Sequence, residues 1–502
     1  MKPIKTLFFI LSVMLLLGVA WYFFPAEGIN IGPFNLRFPS LAKHQDVEVE
    51  EVDVDKVLER VSQSFEMTCT ETMYDSLYFF RSYLKENPNR IYLPNDDYTF
   101  FDSLFAQFSR AQSEGKTYRV MHYGDSQIEM DRISSVLRQK LQELFGGSGP
   151  NMIPAIQTVQ TISVGQDSKG LSRYMIYGNA NRATHNRYGV MAQFSQVTGE
   201  GVVNFKQTSH PQSFKKAKEI STVSVLLGKN SQGFTAILHC DTLKLEPKVL
   251  NANNGVSLIT WHLPVNVPRG SIHFKGNAEI YAILLDGKPG VALDNVALRG
   301  CSGTIFTRIN DENLSKSFSL IDTRLIIMQF GGNRMPGITS PKNISSYMKE
   351  LEKQIALMRH VAPQATLMFI GPSDMGRSYG GKMGTWKGLP ELNDSLRAMA
   401  LRNDVAYWDM FNVMGGEGSM VQWVKHNPPL AGSDYIHFTF RGAQAIGTEL
   451  AQSFTTYYNF YKLRQHVPSQ EVIDFVNRDE SEDLLHMPYW KLLPKYQPYS
   501  AY

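Results

Sequence analysis

Four short stretches of this chain hold residue types that together could cleave an ester. Ser126 stands in Gly124-Asp125-Ser126, where an apolar run gives way to a helical one. A serine hydroxyl is a weak nucleophile until a base lies within hydrogen-bond reach and a third group orients that base. The stretch "GSDYIHFTFRGA" offers both, with Asp434 and His437 three residues apart. On one turn the carboxylate can accept from the imidazole Nδ1–H and leave Nε2 for the serine proton. Acyl transfer also needs donors for the charge that develops on the carbonyl oxygen. Asn333 in "FGGNR" could present a carboxamide and Gly303 in "RGCSGT" a bare backbone N–H, with Gly300 competing for the same part. Singly, each stretch also reads as ordinary turn and capping chemistry. Their order along the chain, each at the end of a strand, is harder to dismiss.

The elements that must position these residues follow from periodicity. Tyr118–Tyr123 predicts a strand, and Ile133, Val136, Leu137, Leu141 and Leu144 share one face of the helix after it. "RLIIMQFGG", "ATLMFIG" and "VAYWDMF" are apolar strands, alternating with helices over 345–360, 389–402 and about 442–458. A short helix is expected at 305–310. Buried strands alternating with helices predict a parallel, doubly wound α/β sheet, whose ligands sit at the C-terminal ends of the strands. Between about 188 and 287 the texture changes to short alternating runs separated by Gly, Asn and Pro, which predicts an inserted all-β sandwich. The expected organisation is a helical lead-in over 57–113, a split α/β domain over 114–187 and 288–460, the insertion over 188–287, and a tail over 461–502 with no assigned fold.

The first residues bear on compartment. After Lys2 and Lys5, Thr6–Phe24 is a run of 19 uncharged residues, about 28 Å long as a helix and near the thickness of bilayer hydrocarbon. A membrane anchor over 1–24 is expected, with the chain beyond it on the extracytoplasmic side and a linker over 25–56. A signal peptide cleaved near Gly18-Val19-Ala20, leaving a secreted protein, is the rival. Composition excludes other classes. Fifty Lys and Arg against 47 Asp and Glu leave a net charge of +3 in 502 residues with no long basic run, so no nucleic-acid partner is implied. Cys69, Cys240 and Cys301 are too few and too scattered for a disulfide framework or a structural zinc site.

Other chemistry-bearing side chains have blander readings. Cys301 reads as a small buried hydrophobe, His122 as a packed strand histidine and Asp374 as a turn residue able to line the cleft. His185 and Arg187 have no spacing rule behind them.

Together the "GDS", glycine, "GGN" and Asp-x-x-His blocks resemble those of the SGNH (GDSL-type) hydrolases, over about 118–454 with the insertion excepted. The resemblance implies a flavodoxin-like three-layer α/β/α fold and ester hydrolysis without metal or cofactor. Ser126 would be the nucleophile, His437 the base and Asp434 its orienting acid, with the Ser126 and Gly303 amides and Asn333 as the oxyanion hole. Arg334 follows Asn333 where the family commonly has an aspartate. An inserted β domain further resembles the arrangement in bacterial peptidoglycan O-acetylesterases and implies an acylated polysaccharide or peptidoglycan as substrate. An O-acetyltransferase using the same residues, or a glycan-binding protein without catalysis, are the alternatives.

Overall fold

The computed structural model describes residues 9, 11–19, 29–31, 34–36, 53–63, 73–178, 181–241 and 243–478. Residues 11–19 of the apolar N-terminal run are helical and exposed, and among the described residues no helix is long and apolar enough to cross a membrane. The rest of the expected anchor lies outside the described residues. Ile29–Ile31 and Phe34–Leu36 pair as an antiparallel hairpin within the 1–50 unit.

The second unit opens with helices α1 (Val54–Gln63) and α2 (Met73–Glu86), the two-residue strand β1 (Ile91–Tyr92) and α3 (Asp102–Ala111). This lead-in is not a separate layer. Leu77, Phe80, Leu104, Phe105 and Phe108 join the core of the main sheet. Strand β2 (Thr117–Gly124) then runs into the Ser126 turn, and α4 (Ser134–Phe145) follows.

The β insertion starts earlier than composition suggested. Strands β3 (Asn151–Ile153), β4 (Val164–Met175), β5 (Gln193–Gln207), β6 (Thr222–His239), β7 (Lys248–Leu250), β8 (Ser257–His262) and β9 (Arg269–Asp286) form one seven-stranded sheet, antiparallel at every pairing. Residues 151–175 therefore belong to the insertion, not to the first half of the α/β domain. Their polar, broken alternation hid them: β4 is "VGQDSKGLSRYM", buried only at its two ends and partly or fully exposed between them. Two stacked sheets were expected, and a single one is found. It bends where the β9–β6 register slips between Gly276 and Ala282, and bulges of this kind increase local twist. Its own core gathers Phe205, Val225, Phe234, Trp261, Ile272 and Phe274. The two ends of the insertion meet, Gly287 N donating to Ser148 O at 2.9 Å, so it occupies a single connection of the host domain.

The chain returns through β10 (Gly290–Ala297), α5 (Asp311–Leu320), β11 (Thr323–Gln329), α6 (Pro341–Val361), β12 (Thr366–Ile370), the hairpin β13 (Gly376–Tyr379) and β14 (Lys382–Thr385), α7 (Leu389–Arg402), β15 (Ala406–Trp408), α8 (Met410–Val413), α9 (Ser419–Lys425) and α10 (Phe440–Arg464). The main sheet has the order β10-β2-β11-β12-β15-β1, parallel except for β1 at its edge. Consecutive residues point to opposite faces of a strand, and here both faces are covered. Val120, Ile327, Ile370 and Trp408 pack into one core with α3, α4 and α10, while Met121, Met328, Phe369 and Tyr407 pack into the other with α5, α6 and α7. This is the three-layer α/β/α arrangement. The helix expected at 305–310 is only a single 3₁₀ turn, Phe306–Arg308, because Asn310 caps α5 by accepting from Asn313 N at 2.8 Å. The segment after 460 also folds: α11 (Ser469–Asn477) packs on α2, with the Arg81 guanidinium 3.8 Å from the Phe475 ring centre.

Candidate active site

Ser126 lies one residue beyond the Asp125 cap at the C-terminal end of β2, where the parallel sheet places ligands. Asp434 and His437 lie in the loop before α10. Ser126 Oγ stands 2.8 Å from His437 Nε2, and His437 Nδ1 stands 2.7 Å from Asp434 Oδ2. A carboxylate can only accept, so Nδ1 carries the imidazole proton and Nε2 accepts from the serine hydroxyl. Asp434 Oδ1 accepts from the Ile436 and His437 amides, each at 3.0 Å, which closes the loop around its own acid. Partial burial raises the Asp434 carboxyl, but the His437 and backbone hydrogen bonds outweigh it and hold the group below the usual carboxylate range.

Ser126, His437, Asn333 and Gly300 all line one cavity of about 660 Å³. Its lining includes the apolar residues Phe330, Pro336, Met375, Trp386, Met410 and Ile436. The Ser126 and Gly300 amides donate to no acceptor among the described residues. Asn333 Nδ2 donates to Asp125 Oδ2 at 2.9 Å and to Cys301 O at 3.3 Å, which anchors the carboxamide at the wall. Asp125 is 7% exposed. Burial pushes its carboxyl up to about 6, against the Gln127 amide, His437 and Asn333.

Gly303 falls elsewhere. Its N–H donates to Cys301 Sγ at 3.3 Å, it does not line the cavity, and at φ +78° a Cβ would sit 2.6 Å from the Phe330 ring. Glycine is required there by left-handed backbone and by packing under Phe330. The cavity-lining glycine of this loop is Gly300.

The remaining sequence candidates lie outside the chemistry. Cys301 is buried, and burial pushes its thiol up to about 11, so it stays protonated. His122 is fully buried between Gln329 and Ser134, and loss of water lowers it to about 4. Asp374 lies behind the wall, accepting from the Met375 and Met420 amides at 2.8 Å each, and Ser373 faces the cavity in its place. His185 and Arg187 both pair with Glu279 of the insertion and do not line the cavity.

Two residues that the sequence did not single out hold the site together. Gln127 donates to Ile436 O at 2.6 Å and to Ser373 Oγ at 3.0 Å, and Phe438 N donates back to its Oε1 at 3.4 Å. Arg132 donates to Ser126 O at 3.0 Å and to Phe438 O at 2.8 Å, tying the Ser126 turn to the histidine loop. The only available signal was their position, one and six residues after Ser126. Their partners Ile436 and Phe438 lie more than 300 residues away and cannot be paired by spacing.

No protein-family model and no curated protein matches the sequence. Among solved structures, the chain is similar to a peptidoglycan O-acetylesterase at 18% identity and a TM-score of 0.58, over 71% of this chain and 95% of that one. A family two carbohydrate esterase from Cellvibrio japonicus (12% identity, 62% of this chain, 100% of that one) and one from Corynascus thermopiles with a carbohydrate binding domain (12%, 57% and 99%) have TM-scores of 0.24 each, too low to carry weight. At such identities likeness extends to fold, and the chain has the fold of that peptidoglycan O-acetylesterase.

Proposed function

We propose that this protein is a serine esterase that removes O-acetyl or similar acyl groups from a carbohydrate of the cell envelope or its surroundings. The observation that carries the reading is the chain of two short hydrogen bonds from Asp434 through His437 to Ser126, opening into a cavity whose lining includes apolar residues for an acyl group. Ser126 Oγ attacks the ester carbonyl as His437 Nε2 takes its proton, and Asp434 stabilises the imidazolium. The tetrahedral intermediate collapses, and the departing sugar oxygen takes the proton from His437. Water, deprotonated by His437, then frees Ser126 and releases the acid. The Ser126 and Gly300 amides are the proposed donors to the oxyanion, joined by one Asn333 Nδ2 hydrogen that leaves its long 3.3 Å bond to Cys301 O.

The fold shared with a peptidoglycan O-acetylesterase supports this substrate class. The apolar residues 6–24 support placement on the extracytoplasmic side, by an anchor or after signal cleavage. Acetate release from O-acetylated peptidoglycan, acetylated glucomannan and an aryl acetate tests the reading. Ser126→Ala, folded by circular dichroism, is expected to lose at least ~10³-fold in kcat on each, and wild-type turnover in that variant would overturn it. Product analysis with an added acceptor glycan separates hydrolysis from acyl transfer.

A further inference from the structure

The catalytic cavity does not end at the nucleophile turn. Its walls Glu129 and Met130 also wall a second groove, whose far side is built by the β insertion, including Thr158, Arg173 and Gln193. Insertion and turn are joined there. Ile162 N donates to Met130 O at 3.2 Å, Ser163 Oγ donates to Asp131, and Arg138 closes on the same carboxylate at 2.5 and 3.0 Å. The groove thus has a fixed position relative to Ser126.

The charges along it are not balanced. Arg299, at the catalytic end, is paired with Glu129 through bonds of 2.9 and 3.1 Å. Arg173 has no carboxylate partner among the described residues. Its Nε donates to Gln193 Oε1 at 2.5 Å and one Nη reaches Thr158 Oγ1 at 3.5 Å. The guanidinium is half-buried, and desolvation lowers its proton affinity without discharging it. A half-buried guanidinium that faces a groove and has no counter-ion among the described residues is a ready partner for an anionic group on a ligand.

We propose that Arg173 is the centre of an anion subsite, supplied by the β insertion, for a sugar-borne carboxylate of the glycan whose ester lies at Ser126. The inference rests on the esterase reading and narrows its substrate to acidic glycans. A planar carboxylate suits the guanidinium fork, which can donate two parallel N–H bonds to it. Two kinds of glycan carry such a carboxylate: a strand with a lactyl-ether amino sugar, as in peptidoglycan freed of the stem peptides that otherwise hold this carboxyl as an amide, and a uronate polymer.

The test compares kcat/KM on O-acetylated peptidoglycan strands stripped of their stem peptides, O-acetylated polygalacturonate and neutral acetylated glucomannan for the wild type, Arg173→Gln and Arg173→Lys. Arg173→Gln is expected to lower the acidic-to-neutral ratio by ~10-fold or more, chiefly through KM, as befits loss of a charge-assisted hydrogen bond. Arg173→Lys should keep part of the preference. The acidic substrate that responds identifies the source of the carboxylate. An unchanged ratio in Arg173→Gln would overturn the subsite. Calorimetry of Ser126→Ala with deacetylated fragments of the same glycans reads binding without chemistry. Arg173-dependent binding of acidic fragments, with no acetate released from any substrate, overturns the esterase reading alone. Equal binding of acidic and neutral fragments overturns the subsite alone.

Discussion

At the scale of single residues, the site combines a relay visible in the sequence with supports that were not. Ser126, His437 and Asp434 meet at 2.8 and 2.7 Å. Asn333 is anchored by Asp125, the residue before Ser126. Asn333→Ala is expected to lower kcat on an aryl acetate by ~10²-fold to 10³-fold with little change in KM, as for the loss of one oxyanion donor, and an unchanged kcat would remove Asn333 from that role. Asp374 makes a prediction about pH. Burial pushes its carboxyl up to about 6 from an ordinary 3.8, against its hydrogen bonds from the Met420 amide, Thr385 and the Met375 amide. A group raised in the folded state contributes stability that is full below its unfolded pKa and is lost as pH rises through the folded one. The wild type should therefore lose stability between about pH 4 and 6, on the order of 2 kcal/mol from this group. Urea titrations should show a shallower slope over that window in Asp374→Asn, and parallel slopes would refute the assignment.

At the scale of elements, the histidine loop depends on the helix that follows it. Thr439 caps α10 by accepting from Gly442 N at 3.3 Å, and Thr439 N donates to Leu430 O at 2.9 Å. A Cβ on Gly442 would lie 1.9 Å from that same Leu430 oxygen, a clash with backbone that only a shift of the loop can relieve. Gly442→Ala is expected to cost ~1–3 kcal/mol by overpacking. It should lower kcat as well, since Asp434 and His437 sit between the two contacts. A stability loss with full activity would show the loop to be independent of the helix. Most elements of the α/β part were legible because their burial is periodic, and α7 has the bounds Leu389–Arg402 that periodicity predicts. β4 was not legible, because a polar strand buried only at its ends and held by ladder bonds to β5 leaves no hydrophobic pattern.

At the scale of the whole molecule, the insertion is bound to the sheet that carries Ser126 by buried charge. Arg119 of β2 pairs with Asp286 at the end of β9 and with Asp294 of β10, the latter at 2.7 Å. Asp294 also accepts from Met152 N at 2.9 Å, and Asn151 donates to Asp286 at 3.0 Å. Truncating one member of such a cluster strands the others in low dielectric, so Arg119→Ala should cost ~3–5 kcal/mol in urea unfolding. Adding Asp286→Asn and Asp294→Asn should recover part of that loss by removing the stranded charges. A loss below ~1 kcal/mol, the range of exposed pairs, would show the cluster to be solvated.

The sequence by itself determined the alternation of strand and helix, the presence of a β insertion and the identities of Ser126, Asn333, Asp434 and His437, because burial periodicity and turn chemistry are local properties. Tertiary structure alone decided that Gly300 and not Gly303 faces the cavity, since that depends on the fit of one glycine under Phe330. It also decided that the lead-in and the segment after 460 belong to the α/β core, and that residues 151–175 belong to the insertion. Arg132, Gln127 and Arg173 acquire their roles from partners brought close only when the sheet is assembled, and no spacing along the chain encodes those distances.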